Sequence, residues 1–336
     1  MVGGSVVLRG GQVSRQAHVV GHGVADEAIA ATPGCDVIGN VTGTVGIVGV
    51  GRMGLPLCAR LVAAGFKVTA TDIRGECEAD VRAAGAVWMS ETARVASIAD
   101  VLLTTLPGSS ELTQAMALAL PALRPRSAWI DLTSAAPAVG RRLTDHAQSL
   151  GIECLDAPVG GGVTAAAAGR LQLFVGGNVD AVERNRLLLE SLGRVDHVGT
   201  NGAGYLTKLL VNLLWFGQAV AVGEALLLAE RAGIDLDLLR SVLGESAAAS
   251  EFVRRDLRAL LEGDYLESFG VHRCYEELEA IVSVAHELDV PFDLSRAVER
   301  AYRAAVERYG PVDGELLPVA LLEERAGVRL RTRAAG

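Results

Sequence analysis

"VGIVGVGRMGLPLCARLVAAGFKVTATD", residues 45–72, decides how the rest of the chain is read. It opens on a short Val/Ile run suited to a buried strand, followed by a turn in which Gly49, Gly51 and Gly54 stand in G-x-G-x-x-G spacing. A helix-length stretch at 54–64 and a second Val/Thr-rich run ending in Asp72 complete a strand, turn, helix and strand. Each glycine has a physical task. Gly49 permits a tight turn, Gly51 lets the backbone approach a pyrophosphate, and Gly54 lets helix and strand pack closely, with phosphate oxygens held at the helix N-terminus beside Arg52 and Met53. Asp72 follows Gly54 by eighteen residues, where a carboxylate accepts the ribose 2′-hydroxyl of NAD and repels the 2′-phosphate of NADP. NAD is therefore the expected cofactor; Arg74, two residues on, leaves NADP open.

Further strands are expected at "AVWMS", "VLLTTLP", "AWIDLT", "ECLDAPV", "LQLFVGG" and "RVDHVG", with helices at 109–120, 137–150 and 179–192 between them. This alternation predicts an α/β fold, with a Rossmann-type parallel sheet domain over residues 44–203. After Gly204 the pattern is helical to about Arg308, which predicts an all-α C-terminal domain over 204–310. A helix from about 205 to 232, roughly 40 Å long, would lead it. Residues 1–43 read as a poorly ordered extension and residues 311–336 as a peripheral tail. The apolar run 209–229 is long enough to raise a membrane span, but Asn212, Gln218 and Glu224 interrupt it and no cationic flanks accompany it. A helix covered by its own protein and by a second subunit is expected instead, hence a homodimer or larger homo-oligomer.

Composition narrows the function classes. A net charge of −9 with no Lys/Arg cluster argues against nucleic acid and against anionic membrane as partners, leaving a small-molecule substrate. Five cysteines without CxxC spacing predict neither a disulfide framework nor a metal site, and so a reducing, cytoplasmic setting. His18 and His22 could pair on a metal only if helical, and the glycines around them oppose that. Residues 1–43 lack a basic-then-apolar signal pattern.

Lysine is nearly absent. Only Lys67 and Lys208 are lysine, all other basic residues of the Lys/Arg set being arginine, and Lys208 sits among leucines in "GYLTKLLVNLLW", residues 204–215. Asn212 lies four residues on, on the same helix face. Hydride leaving a carbinol carbon requires a base for the hydroxyl proton, and the reverse needs an acid for the forming alkoxide. A lysine can serve if burial lowers its pKa by about three units, at a cost of about 4 kcal/mol, whereas arginine does not deprotonate.

Several segments together resemble the β-hydroxyacid dehydrogenase family, which includes 3-hydroxyisobutyrate dehydrogenase, tartronate semialdehyde reductase and the 6-phosphogluconate dehydrogenases. The glycine turn is similar to the family's G-x-G-x-M-G opening. "TTLPGSSEL" resembles its LP turn, which implies Leu106 and Pro107 near the nicotinamide, and "IDLTSAAP" implies Thr133 and Ser134 near the nicotinamide ribose. "DAPVGGGVTAAAAGRLQLFVGG" resembles the substrate loop, and "GYLTKLLVNLL" the K-x-x-x-N helix, which implies Lys208 as catalytic acid/base and Asn212 as its orienting amide. The resemblance spans about residues 44–310 and implies an NAD(P)-dependent oxidoreductase acting on a hydroxy acid or semialdehyde.

Two positions depart from the family pattern. Gly160 replaces the serine of the substrate loop, leaving Gly160, Gly161 and Gly162 to offer backbone N–H groups alone. "FGVHRCYEELEA" puts Glu276 at the family's pocket lysine, which disfavours a carboxylate substrate unless His272 or Arg273 compensates and opens the way to a larger or amine-bearing one. The bland alternative for Glu276 and Glu277 is a solvated helix face. Two other functions remain open: imine reduction, the chemistry of relatives lacking this lysine, and a cofactor-binding interaction protein that has lost its chemistry.

Overall fold

The computed structural model describes residues 43–332. His18, His22, Cys35 and the expected extension apart from Gly43 lie outside the described residues. The strands are β1 (Thr44–Val48), β2 (Lys67–Thr71), β3 (Val87–Trp88), β4 (Val101–Thr104), β5 (Ala128–Asp131), β6 (Glu153–Asp156), β7 (Val159–Gly160), β8 (Leu171–Gly176) and β9 (Gly193–Gly199). They form one sheet in the order β3-β2-β1-β4-β5-β6-β8-β7, with β9 paired to β8. From β3 to β6 every pairing is parallel. β4 and β5 are buried throughout because helices cover both faces, which is why they read as unbroken apolar runs.

Residues alternate between two cores. Val45, Ile47, Leu103 and Ile130 pack with Leu57 and Leu61 of the helix Gly54–Ala63 on one face. Val48, Leu102 and Trp129 pack with Leu112, Met116 and Leu143 on the other. The parallel arrangement expected from the alternating pattern needs one refinement, since β8 runs antiparallel to both β6 and β7. Only residues 161–170 separate β7 from β8, and a parallel return needs a crossover of about a dozen residues or more. β1 lies between β2 and β4, so the chain winds away from it in both directions, and the C-terminal ends of β1 and β4 border the crevice where such sheets bind dinucleotides.

After β9 the structure is helical. The long helix Ala203–Arg231 buries Tyr205, Leu209, Leu213, Phe216, Ala219, Gly223, Leu226 and Ala229, a stripe at three- and four-residue spacing. The helices Val271–Glu287 and Asp293–Tyr309 pack on its first half, through Val271, Cys274, Leu278 and Tyr302. Among the described residues it is the single helix long and apolar enough to cross a membrane by length and composition.

The expectation of a peripheral tail is corrected. The helix Leu317–Ala326 packs on the long helix, and Leu316, Val319 and Leu330 share a core cluster with Ala219 and Leu226. Gly314 and Pro318 read as breakers, yet proline in the first turn of a helix has no N–H to forgo and a suitable φ, so Pro318 starts the helix. The carboxylate of Glu323, fully buried, accepts the Leu330 N–H at 2.8 Å, Arg331 at 3.1 Å, Arg329 at 3.2 Å and the Tyr265 hydroxyl. Glu323→Ala therefore strands these donors and is expected to cost about 2 kcal/mol or more in urea unfolding. A loss within about 0.5 kcal/mol, the usual scatter of surface changes, would return the segment to the periphery.

Candidate active site

The glycine turn closes on the segment after β4. Gly49 has φ +92°, and a β-carbon there would stand 2.4 Å from the Thr105 carbonyl oxygen; one on Gly54 would stand 2.0 Å from that of Gly49. No side chain fits at either position, so backbone lines the crevice. Val50 N–H donates to Asp72 Oδ2 at 2.9 Å, which ties the turn to the end of β2. Arg74 folds back to donate to the same carboxylate through its N–H at 3.0 Å, Nε at 2.9 Å and Nη2 at 3.1 Å. Burial pushes the Asp72 carboxyl up, but the bonds from Arg74 and Val50 outweigh it and hold the group below its usual range. This cradle fits a dinucleotide: open backbone at the turn and an ionised carboxylate at the ribose position. Arg52 is exposed at the tip, 3.7 Å from Asp313, and Met53 is half-buried against the core.

Leu106 N–H donates to Thr133 Oγ1 at 3.1 Å, and Thr133 N–H to Asp131 Oδ1 at 3.1 Å, so the LP turn with Pro107 and the segment after β5 are held together. Asp131 is buried and also accepts Thr104 Oγ1 at 2.6 Å and the Tyr205 hydroxyl at 2.6 Å. Asp156, buried at the end of β6, accepts Gly202 N–H at 2.8 Å and Tyr205 N–H at 3.1 Å. Two strand-end carboxylates thus hold the first turn of the long helix, with negative charge at the positive end of its dipole.

Lys208 stands half-buried one turn beyond Tyr205. Burial lowers its pKa, opposed by the negative charges of Glu277 and Glu315. Asn212 Nδ2 donates to Glu277 Oε2 at 2.6 Å, and the Ser134 side chain bonds to the same carboxylate. A chain Ser134, Glu277, Asn212 therefore joins the nucleotide-side loop to the helix bearing Lys208. The bland expectation for Glu277 is corrected: it is buried, whereas Glu276 is exposed. Its signal was the stripe Val271, Cys274, Leu278, Ile281, whose buried face also takes in position 277. Glu276 is committed to Arg273, whose Nη1 stands 2.9 Å from it while Nη2 reaches Glu111 at 2.6 Å. Gly160 ends β7, where an added β-carbon would stand in ordinary contact at 3.6 Å from the Phe174 ring, and Gly161 and Gly162, both with positive φ, open the short helix Gly162–Ala167.

Residues 44–202 match the model of the NAD binding domain of 6-phosphogluconate dehydrogenase. Residues 202–321 match that of the NAD-binding region of NADP-dependent 3-hydroxyisobutyrate dehydrogenase. L-threonate dehydrogenase of Cupriavidus necator is 31% identical over 78% of this chain and 90% of its own. The chain belongs to the β-hydroxyacid dehydrogenase family. It is an NAD(P)-dependent dehydrogenase acting on CH–OH groups. Among solved members of the β-hydroxyacid dehydrogenases, 3-hydroxyisobutyrate dehydrogenase of Mycobacterium tuberculosis, determined with L-serine, superposes with a TM-score of 0.76. It is 26% identical over 83% of this chain and 99% of its own. An imine reductase from Pseudomonas sp. shares the fold at TM-score 0.56 and 17% identity.

Burial pushes Asp131 up to about 6, with hydrogen bonds from Thr104, Thr133 and Tyr205 offsetting part of the rise. A carboxyl raised on folding binds its proton more tightly in the native state, so its contribution to stability is lost as pH rises from about 4 to about 6, by roughly 3 kcal/mol. Asp131→Asn lacks that slope. Urea unfolding across this window is expected to show the variant gaining on the natural protein as pH rises; parallel curves would contradict it.

Proposed function

We propose that Lys208 is the acid/base for hydride exchange between NAD(P) and a hydroxy acid or its semialdehyde, with Asn212 and Glu277 orienting it. The observation that carries this is a titratable ammonium placed one turn beyond an anchored helix start, beside a chain of hydrogen bonds from Ser134 through the buried Glu277 to Asn212. The nicotinamide, when bound, supplies or accepts the hydride. In oxidation, neutral Lys208 takes the substrate hydroxyl proton; in reduction, its ammonium returns a proton to the forming alkoxide. The lowered Lys208 pKa brings both forms closer to neutral pH. Because the Asn212 amide nitrogen is committed to Glu277, its carbonyl oxygen is left to accept from the ammonium or the substrate hydroxyl. Leu106, Pro107, Thr133 and Ser134 would hold the nicotinamide end.

NAD is the preferred cofactor in this proposal, because Asp72 is kept ionised and Arg74 is spent on it rather than free for a 2′-phosphate. Beside Gly108 of the LP turn, Glu111 and Glu276 stand against Arg273, an acidic balance that favours a substrate without a second carboxylate reaching there. L-threonate and L-serine, named for two relatives, suit that description and head the panel to test. Gly160, Gly161 and Gly162 would bind the substrate carboxylate through backbone N–H groups. We further assign residues 44–203 to cofactor binding and the helical part from 204 to substrate closure. A cytoplasmic homodimer is supported by the free Cys58, Cys77, Cys154 and Cys274 among the described residues and by Leu210, Val211, Leu214 and Leu228, which stay exposed on the long helix. Lys208 and Asn212 weigh against imine reduction, and the intact Ser134 to Asn212 chain against a binding protein that has lost its chemistry.

With the panel followed through nicotinamide absorbance, Lys208→Ala is expected to lower kcat by about 10²- to 10⁴-fold while dinucleotide affinity holds. Turnover equal to the natural protein would dismiss Lys208 as acid/base. Asp72→Ser should lower the preference for NAD over NADP by about tenfold or more, corresponding to about 1.4 kcal/mol; an unchanged ratio would remove Asp72 from cofactor choice.

A further inference from the structure

One turn before Lys208, the helix Ala203–Arg231 carries Tyr205, a buried tyrosine whose phenol the hydride chemistry does not use. Its ring lies in a slot left by Gly140 of the helix Pro137–Ser149, where a β-carbon would stand 2.1 Å from Tyr205 Cε2 and 2.8 Å from Cζ. Glycine inside a helix is disfavoured against alanine, and here the tyrosine ring is the reason for it. The slot aims the hydroxyl at one acceptor. Tyr205 donates to Asp131 Oδ2 at 2.6 Å, while Asp131 Oδ1 accepts Thr104 Oγ1 at 2.6 Å and the Thr133 N–H at 3.1 Å. The Thr133 hydroxyl also bonds to this carboxylate, and its oxygen accepts the Leu106 N–H at 3.1 Å. Trp129 Nε1 donates to Thr104 Oγ1 at 2.9 Å and so fixes the hydroxyl that holds the second carboxylate oxygen.

A continuous line of hydrogen bonds therefore runs from the helix bearing Lys208, through Tyr205, Asp131 and Thr133, to the LP turn at Leu106. Tyr205, Asp131, Thr104 and Thr133 are all buried, and a short bond from a hydroxyl to a carboxylate is among the stronger kinds. Packing in the slot would be served as well by phenylalanine, so the hydroxyl is what joins the helix to the turn. We propose that Tyr205 is a positioning residue for the reaction: its hydroxyl holds the helix bearing Lys208 in register with the LP turn. This rests on Lys208 as acid/base and on Leu106 and Thr133 at the nicotinamide end. Hydride is exchanged at the carbon and the proton at the oxygen of one C–O bond. A drift of Lys208 relative to the nicotinamide end thus costs rate even where the dinucleotide is bound as tightly as before.

In Tyr205→Phe, which keeps a ring in the slot, kcat is expected to fall about tenfold or more while the dissociation constant for NADH stays within about twofold. A merely structural role would lower the unfolding midpoint and leave kcat of the folded enzyme in place. Thr133→Val in the Tyr205→Phe background should cost less than it costs alone, because both cut the same line. The phenol can also be watched without altering it. The chain has five tyrosines, and with ¹³Cζ-tyrosine the replacement of Tyr265, Tyr275, Tyr302 and Tyr309 by phenylalanine in turn assigns the Tyr205 signal by exclusion. That signal is expected to shift when NADH is added to the natural protein. An unchanged kcat in Tyr205→Phe, losses that simply multiply in the double variant, or a Tyr205 signal indifferent to NADH overturns the proposal. Retained turnover in Lys208→Ala would overturn the acid/base assignment instead, so the two failures are distinct.

Discussion

The long helix starts on a buried carboxylate, and the site depends on that attachment. Asp156 accepts the N–H groups of Gly202 and Tyr205 at the very point where a helix leaves its donors unsatisfied. A β-carbon on Gly204 would stand 2.2 Å from the Phe174 carbonyl oxygen, so the helix enters directly against the ends of β6 and β8. Tyr205 adds a second fastening by reaching Asp131 at the end of β5. With two sheet strands holding the first turn, the position of Lys208 one turn later follows from helix geometry. Positioning by rigid elements of this kind is what proton transfer at a fixed carbinol carbon requires.

The second constraint is electrostatic. A lysine beside carboxylates away from bulk water is governed by the balance of desolvation, which removes its charge, and the neighbouring anions, which keep it. Glu277 and Glu315 bring that balance from two elements remote in sequence. Beside Gly108 of the LP turn Arg273 stands between Glu111 and Glu276, so the exposed acid at 276 already has a cation one helical turn earlier. The Arg273–Glu111 pair links the helix after the LP turn to the helix carrying Glu277, while Arg273–Glu276 lies within that helix.

Much of this was legible in the residues. The glycine turn, the strand runs through β9 and the start of the long helix follow from local steric and apolar patterning, because each depends on neighbours within one supersecondary unit. The antiparallel β8 was harder, since strand direction depends on the length of the connection rather than on the strand's own composition. Glu277 reads as part of a solvated helix face, and nothing in the sequence marks Glu323 for burial. Charge usually signals solvent, and only partners 65 residues away for Glu277 and 58 for Tyr265 with Glu323 make burial tolerable. The final helix was missed for a related reason: its glycine and proline punctuate it locally, while its apolar face has meaning only against the long helix.

The sequence by itself determined the cofactor cradle, the family and the one titratable cation among leucines, because these rest on spacing along the chain and on residue chemistry. The tertiary structure alone decided which acids surround that cation, that Glu276 is paired with Arg273, and that two strand-end aspartates anchor the helix bearing Lys208. Those facts concern distances between residues far apart in the chain. Electrostatic strength in a poorly solvated site depends on such distances, and composition does not carry them.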